Sequence, residues 1–408
     1  MGEVLRSAVN DPVFLIFFIT VAGYLLGRIE IRGVGLGTAG VFLAALLFGH
    51  LGYSDGSFLH RIGFLTVTEE TLGHAMGTMQ TLGLLCFVSS VGFIAGPNFF
   101  SNLVRNMRSY ALLAFVIIVS AALVCVAVIC LTELDSAMAV GILSGALTTT
   151  PGFAAAQDVV RADPFLLDEV TVGHAVGYPF GVVGVVLFVQ LVPIFLGADM
   201  EAERGKMLRA APDPASRGIR GGGKLIDLDP IGLGIFSLTV ILGILIGKVR
   251  VPLPGGAAFS LGNTGGALLT GLLFGHFGHA GPVNLRISEE FLKAFREFGL
   301  VMFLIGAGVP GGSGFLAILQ QYGAVLFLYG ALMELIPMAL GFLAARCLVK
   351  LQLLDALGSI TGGMTSTPAL GALIHTAGTD DVASAYAATY PVALVLVVLI
   401  SQLLVRVF

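Results

Sequence analysis

Two threonine-rich segments that run into a proline hold the residues of this chain best suited to chemistry. They are Gly145-Ala146-Leu147-Thr148-Thr149-Thr150-Pro151-Gly152 and Gly362-Gly363-Met364-Thr365-Ser366-Thr367-Pro368-Ala369, and each interrupts a strongly apolar stretch. Proline lacks a backbone N–H and clashes with the preceding turn, so a helix carrying it there must kink, unwind or turn back. The freed backbone groups, with the hydroxyls of Thr148, Thr149, Thr150, Thr365, Ser366 and Thr367, then make a polar spot in dry surroundings. A helix starting after Pro151 or Pro368 aims positive dipole density at a carboxylate, while exposed carbonyls suit a cation. A single such kink, with Ser and Thr bonded back to carbonyls, is an ordinary structural feature of membrane helices. The same interruption at matched places in two halves points instead to a transport site near the membrane midplane.

Other polar residues gather near these breaks. Gln157 and Asp158 follow Pro151, and His375 occupies the place matching Asp158 in the second half. Glu334 is the clearest carboxylate inside an apolar run. Ionisable groups at membrane depth are costly and functional by default, so Asp158, Glu334 and His375 are candidates for coupling or charge. The rival reading places Asp158 at the interface, paired with Arg161, and gives Glu334 a structural partner on a neighbouring helix. Tyr178-Pro179 and Tyr390-Pro391 open the last helix of each half, where the phenols either line the site or anchor at the interface. Thr148, Thr149, Thr150, Pro151, Gly152, Gln157, Tyr178, Thr365, Ser366, Thr367, Pro368 and Tyr390 form the substrate-binding set. His276 and His279 lack convincing zinc geometry, and no metal site is expected.

The elements that must position these residues are membrane helices. With 56% hydrophobic residues, 11% charged and a mean hydropathy of +0.97, the chain cannot form one soluble core with a polar coat. A net charge of -4 without a basic tail gives no reason to expect nucleic acid. Cys86, Cys125, Cys130 and Cys347 lie in apolar segments without CxxC spacing and read as small hydrophobes. The segment Gly221-Gly222-Gly223-Lys224-Leu225 lacks the P-loop pattern, and no GxSxG or HExxH motif occurs, so neither an ATP-driven pump nor an enzyme is indicated. No cofactor is expected beyond Na⁺ or H⁺ as a coupling ion. The N-terminal apolar run lacks a cleavage signature and reads as an uncleaved anchor.

Spanning segments fall near 12–28, 34–51, 79–97, 109–132, 138–160 and 174–197, and again near 230–247, 258–278, 295–312, 322–345, 354–376 and 383–405. Order is kept between the halves. Leu46-Leu47-Phe48-Gly49-His50 recurs as Leu272-Leu273-Phe274-Gly275-His276, Gly83 with Gly92 as Gly299 with Gly308, and Asp11-Pro12 as Asp229-Pro230. The chain therefore divides into a first membrane repeat (1–197), a polar cytoplasmic linker (198–228) expected to be solvated and mobile, and a second repeat (229–408). If the Pro-broken segments do not cross fully, each half has five spans and the repeats are inverted. The positive charge of Arg28, Arg32, Arg105, Arg108, the linker, Arg286, Lys293, Arg296, Arg346 and Lys350 then collects on one side. Only Arg6, Arg61, Arg161, Lys248, Arg250 and Arg406 fall opposite. Six full crossings per half would give parallel repeats instead.

Taken together, the Gly83 to Gly92 and Gly299 to Gly308 motifs, the two Thr-Pro breaks, His174 through Gly181 with Tyr178-Pro179, and Tyr390-Pro391 resemble the aspartate:alanine exchanger family of YidE/YbjL-type permeases. The resemblance covers both halves. It implies an all-α polytopic fold of inverted repeats, each of about five spanning helices plus a Pro-broken or re-entrant segment, working as an elevator-like transporter. It further implies exchange of small amino acids or carboxylates by alternating access in the bacterial inner membrane, the Gly/Thr/Pro motifs lining the pathway. Its partners would be a small carboxylate or amino-acid substrate, the lipid bilayer and a second copy in a homodimer. The short linker departs from relatives that carry soluble regulatory domains between the halves. A Na⁺- or H⁺-coupled carboxylate symporter, a cation/proton antiporter, or a channel or sensor gated at the breaks remain open as alternatives.

Overall fold

The computed structural model describes residues 7–28, 30–31, 34–35, 39–53, 57–160, 162–210, 226–252 and 258–408. These residues are overwhelmingly helical. In chain order they form α1 (Pro12–Gly27), α2 (Ala39–Gly52), α3 (Phe58–Arg61), α4 (Glu69–Leu131), α5 (Ser136–Ala146), α6 (Thr150–Val160), α7 (Pro164–Phe195) and α8 (Met200–Ala210). There follow α9 (Leu233–Gly247), α10 (Gly262–Phe277), α11 (Glu289–Tyr322), α12 (Val325–Leu343), α13 (Leu353–Gly363), α14 (Thr367–Ala377) and α15 (Val382–Val407). A π-helical turn, Ala344–Leu348, extends α12. The strands make three two-stranded antiparallel hairpins: Glu30–Ile31 with Val34–Gly35, Val251–Pro252 with Ala258–Phe259, and His279–Ala280 with Val283–Asn284.

Among the described residues, five stretches are long and apolar enough to cross a membrane: Glu70–Pro97, Arg108–Leu131, Pro164–Phe195, Val325–Leu348 and Val382–Val407. The first two lie within α4, which continues through Pro97 where the sequence suggests a connection. Pro12–Gly27, Gly40–Gly52, Ser136–Ala146 and Leu233–Gly247 are shorter apolar helices. Apolar residues on several helices point outward, including Val13, Phe17, Phe18, Val21 and Leu25 of α1, a surface suited to lipid rather than water. The protein is an all-α, multi-pass membrane protein.

The chain forms two compact units, Met1–Cys86 with Glu297–Phe327, and Phe87–Arg296 with Leu328–Phe408. In the first, a Cβ on Gly83 would lie 2.6 Å from the Gly299 carbonyl oxygen, and one on Gly312 would meet the Leu46 carbonyl and, at 3.0 Å, the His50 nitrogen. In the second, a Cβ on Gly96 would lie 2.6 Å from the Leu272 oxygen and 2.8 Å from the His276 nitrogen. The duplicated Leu-Leu-Phe-Gly-His motif thus makes equivalent backbone contacts twice, each time with a long helix from the other half of the sequence. Helix–helix association in lipid relies on such close approach of small residues. The second stretch of α4 and helix α12 run antiparallel: Leu113 clusters with Ala344 and Ala345, while Gly341 packs on Ile117.

Polar stretches between helices have their own order. Within residues 198–228, α8 is started by Asp199, whose Oδ1 accepts from the N–H groups of Glu201 (2.9 Å) and Ala202 (3.2 Å). Its Arg204 guanidinium lies against Gly378 at the C-terminus of α14, where positive charge complements the terminal carbonyls. Residues 211–225 of the linker lie outside the described part. The matched Asp-Pro pairs behave differently. Asp11 caps α1 directly, with Pro12 in its first turn. Asp229 instead holds a four-donor turn that runs into the start of α9, accepting from Gly234 on Oδ2 (2.7 Å) and from Ile231, Gly232 and Leu233 on Oδ1.

Two predictions arise from this packing. Gly92 crosses α10 with its Cβ position 2.9 Å from the Gly271 Cα, so Gly92→Val is expected to destabilise by about 1–3 kcal/mol, read as a lower unfolding midpoint in detergent. The Gly234 N–H, with those of Ile231, Gly232 and Leu233 beside it, holds the Asp229 carboxyl below its ordinary range against an opposing desolvation. The stability this provides is present above the ordinary carboxylate pKa and lost as pH falls through the lowered one. The midpoint gap between wild type and Asp229→Ala should therefore be open at neutral pH and close on acidification; a gap independent of pH would refute the assignment.

Candidate functional site

Both Thr-Pro segments are places where one helix stops and another starts. In the first, the N–H groups of Leu147, Thr148 and Thr149 fold back onto the carbonyls of Leu143 (3.0 Å), Gly145 (2.8 Å) and Ser144 (2.9 Å). In the second, Met364, Thr365 and Ser366 repeat this on Ile360 (2.8 Å), Gly362 (3.1 Å) and Thr361 (3.0 Å). The bonds match residue for residue and satisfy carbonyls that a helix end leaves free. The turning residues are Thr148 (φ 48°) and Thr365 (φ 51°), both in the left-handed region that costs a β-branched residue about 1–2 kcal/mol. A new helix follows at once. Thr149 starts α6, its carbonyl accepting from Phe153 (3.0 Å) and its Oγ1 from Gly152 (3.3 Å); Ser366 starts α14. Pro151 and Pro368 occupy first-turn positions, where the missing N–H has no helical partner to lose.

The two breaks meet. Thr365 Oγ1 donates to the Leu147 carbonyl at 2.7 Å, and Thr148 Oγ1 donates to the Thr365 carbonyl at 3.4 Å. Around this junction α5 packs on α7 and α13 on α15, while the outgoing helices exchange neighbours: α6 lies along α15 and α14 along α7. Each half thus supplies a wall to the other's break.

The walls are aromatic and unequal. On α7, the Tyr178 backbone lies against Gly145, His174 Nδ1 shares a hydrogen bond with Ser144 Oγ (2.8 Å), and the Phe153 ring stacks on the imidazole at 4.2 Å. On α15, the Tyr386 backbone lies against Gly362 and its ring stacks on Tyr390 at 5.4 Å. His174 precedes Tyr178, and Tyr386 precedes Tyr390, by one helical turn, so an imidazole in one half stands where the other has a phenol. Sequence reasoning singled out the two tyrosines of the Tyr-Pro pairs but not His174, Ser144, Phe153 or Tyr386; the i, i+4 spacing to Tyr178 and Tyr390 was the available signal. Two hydroxyls beside the breaks, Ser366 Oγ and Ser401 Oγ, are buried without a hydrogen-bond partner among the described residues, and Ser401 Oγ lies 3.3 Å from the Cβ position of Gly152. Buried polar atoms in this state suit a polar ligand.

The remaining candidates are distributed as follows. Thr149, Thr365, Ser366, Thr367 and Pro368 are buried, Thr148 and Pro151 half-buried and Thr150 exposed. Gln157 lies two turns along α6 and donates to Thr171 Oγ1 of α7 at 3.1 Å, away from the junction. His375 is exposed at the far end of α14. Asp158 lies on α6 with its side chain outside the described part. Glu334 is 2% exposed on α12, packed against Gly184 of α7 rather than against either break.

Two discontinuous helices that meet within a multi-pass helical protein are the arrangement of a membrane transporter, and the relatives of the chain carry that name. The chain belongs to the aspartate:alanine exchanger-type permeases: the family model described as Predicted Permease Membrane Region matches it twice, over residues 15–194 and 235–406. It is similar to an uncharacterized transporter of Bacteroides fragilis (26% identity, 98% of each chain covered). It is also similar to one of Desulfotalea psychrophila (24% identity, 97% of each covered) and to a putative transport protein of Klebsiella pneumoniae (23% identity, 98% of this chain and 99% of the relative). These alignments run over 554, 549 and 560 residues against the 408 here, so the relatives carry residues with no counterpart in this chain.

Thr365→Val removes the 2.7 Å bond to the buried Leu147 carbonyl and is expected to destabilise the protein by about 1–3 kcal/mol. Differential scanning fluorimetry in detergent measures it. An unchanged unfolding midpoint would show that the junction does not depend on this hydroxyl.

Proposed function

We propose that this protein is a secondary carrier exchanging small amino acids or carboxylates, of the aspartate/alanine antiport type, across a bacterial inner membrane. The observation that carries the reading is the junction of Thr148 and Thr365, where two discontinuous helices from the two halves meet. There the start of α6 offers N–H groups and dipole charge to a carboxylate, and the hydroxyls of Thr149 and Ser366 add hydrogen bonds without fixed charge. A site lacking a fixed counter-ion accepts substrates of different charge in turn, as exchange of an anionic for a neutral amino acid requires.

The repeats are taken as inverted. The antiparallel course of α4 and α12, which occupy matching places in the two halves, and the exchanged packing of α6 and α14 support that arrangement. Alternating access then moves the junction with its neighbouring helices in an elevator-like step, a motion that the apolar outer surfaces of the helices permit in lipid.

The test is uptake of labelled L-aspartate, L-glutamate or a small dicarboxylate into proteoliposomes at clamped membrane potential, preloaded with the same solute, L-alanine or buffer. Uptake should require an internal substrate and fall severalfold or more in Thr149→Val and Pro368→Ala. Flux into empty vesicles driven by a Na⁺ gradient, or no flux of any of these solutes, would overturn the exchange reading.

A further inference from the structure

One ionisable group in the second unit belongs to neither break. Glu334 sits at the middle of α12, 2% exposed, with its carboxyl laid on the backbone of α7: a methyl group on Gly184 would lie 2.6 Å from Oε2 and closer still to Oε1. The Val185 backbone N–H reaches the carboxyl, while Oε1 is buried without a hydrogen-bond partner. Among the described residues no Lys, Arg or His pairs with it. The titratable and polar groups of the packed elements are few. Tyr329 lies on α12 itself; α7 carries Asp168, Glu169, His174 and Tyr178 toward one end and Gln190 toward the other; α5 has no titratable residue; the adjoining stretch of α4 has Arg108 and Tyr110 at its start and Cys125 and Cys130 further along.

A structural carboxylate at such depth would be expected to meet a cation or several donors, because leaving it ionised with one donor is costly. Here the carboxyl has a single backbone donor, and its other oxygen meets no hydrogen-bond partner among the described residues. Gly184 makes this possible, since any side chain there would occupy the carboxyl's place. Tyr178 lies six residues before Gly184, about 9 Å along the helix axis, so α7 joins the wall of the Thr-Pro junction to the carboxyl.

We infer that Glu334 is a proton-binding site whose occupancy changes during the transport cycle, so that a proton is carried or released as the α7–α12 contact opens and closes. This rests on the carrier reading above. It adds the chemical class of a second ligand, H⁺, to a transporter whose junction is lined by hydroxyls, an imidazole and phenols, with the Glu334 carboxyl set apart from it. Binding adds a proton to a carboxylate oxygen and release returns it to water; no other reactant is needed.

The experiment uses the full-length protein in lipid and two readouts. The first needs no substrate: infrared difference spectra between about pH 5 and about pH 9 follow the protonated-carboxyl stretch in wild type, Glu334→Gln and Gly184→Ala. A band that titrates in wild type, is lost in Glu334→Gln and moves its midpoint in Gly184→Ala is the expected result. The second is the effect of an imposed pH gradient on labelled L-aspartate exchange in proteoliposomes, expected in wild type and absent in Glu334→Gln. A wild-type spectrum lacking any band that Glu334→Gln removes, or one whose band never titrates, overturns the inference, as does a gradient effect that survives in Glu334→Gln. If the band titrates as expected but L-aspartate shows no exchange, the substrate assignment fails and the proton site stands. Should Glu334→Gln not fold, the midpoint shift in Gly184→Ala decides the first readout.

Discussion

A helix that stops leaves backbone carbonyls and amides without their helical partners, and this structure answers that constraint twice with the same device. Each break turns through a left-handed threonine, whose backbone N–H and that of the next residue return to the preceding turn. What the local fold does not supply comes from the other half: the Leu147 carbonyl receives the Thr365 hydroxyl, and the Thr365 carbonyl receives that of Thr148. The strained threonines and the crossing of the breaks therefore depend on one another.

Close approach of backbones is the second requirement. Glycines at 141, 145, 173 and 177 bring α5 and α7 into backbone contact, and those at 358 and 362 do the same for α13 and α15. This holds the junction between two tight helix pairs while α6 and α14 reach across to the opposite half. Lipid provides no hydrophobic force to bring helices together, so contact geometry and buried hydrogen bonds do this work.

The arrangement is symmetric in backbone and asymmetric in side chains. His174 with Ser144 and Phe153 stands on one side where Tyr386 with Tyr390 stands on the other. Exposure differs as well: Thr150 is exposed and Thr367 buried at matched positions.

Composition alone placed this chain in a membrane, because a polar coat cannot be drawn from so few charged residues, and the ordered recurrence of Leu-Leu-Phe-Gly-His, Thr-Pro and Tyr-Pro revealed two halves. The Thr-Pro segments were legible as helix breaks since proline and the hydroxyl cluster act locally, within one turn. Contacts hundreds of residues apart are not local. That Thr148 would meet Thr365, that α6 would lie along α15 of the other half as well as against α7, that His174 would pair with Ser144, and that Glu334 would settle on Gly184 of α7 were decided by the packing of helices whose apolar faces look alike in sequence. The same limit applies to Gln157, whose donation to Thr171 Oγ1 on α7 no local pattern gives. Residue type fixes what a side chain can do; which neighbour it does it with is set by the tertiary structure.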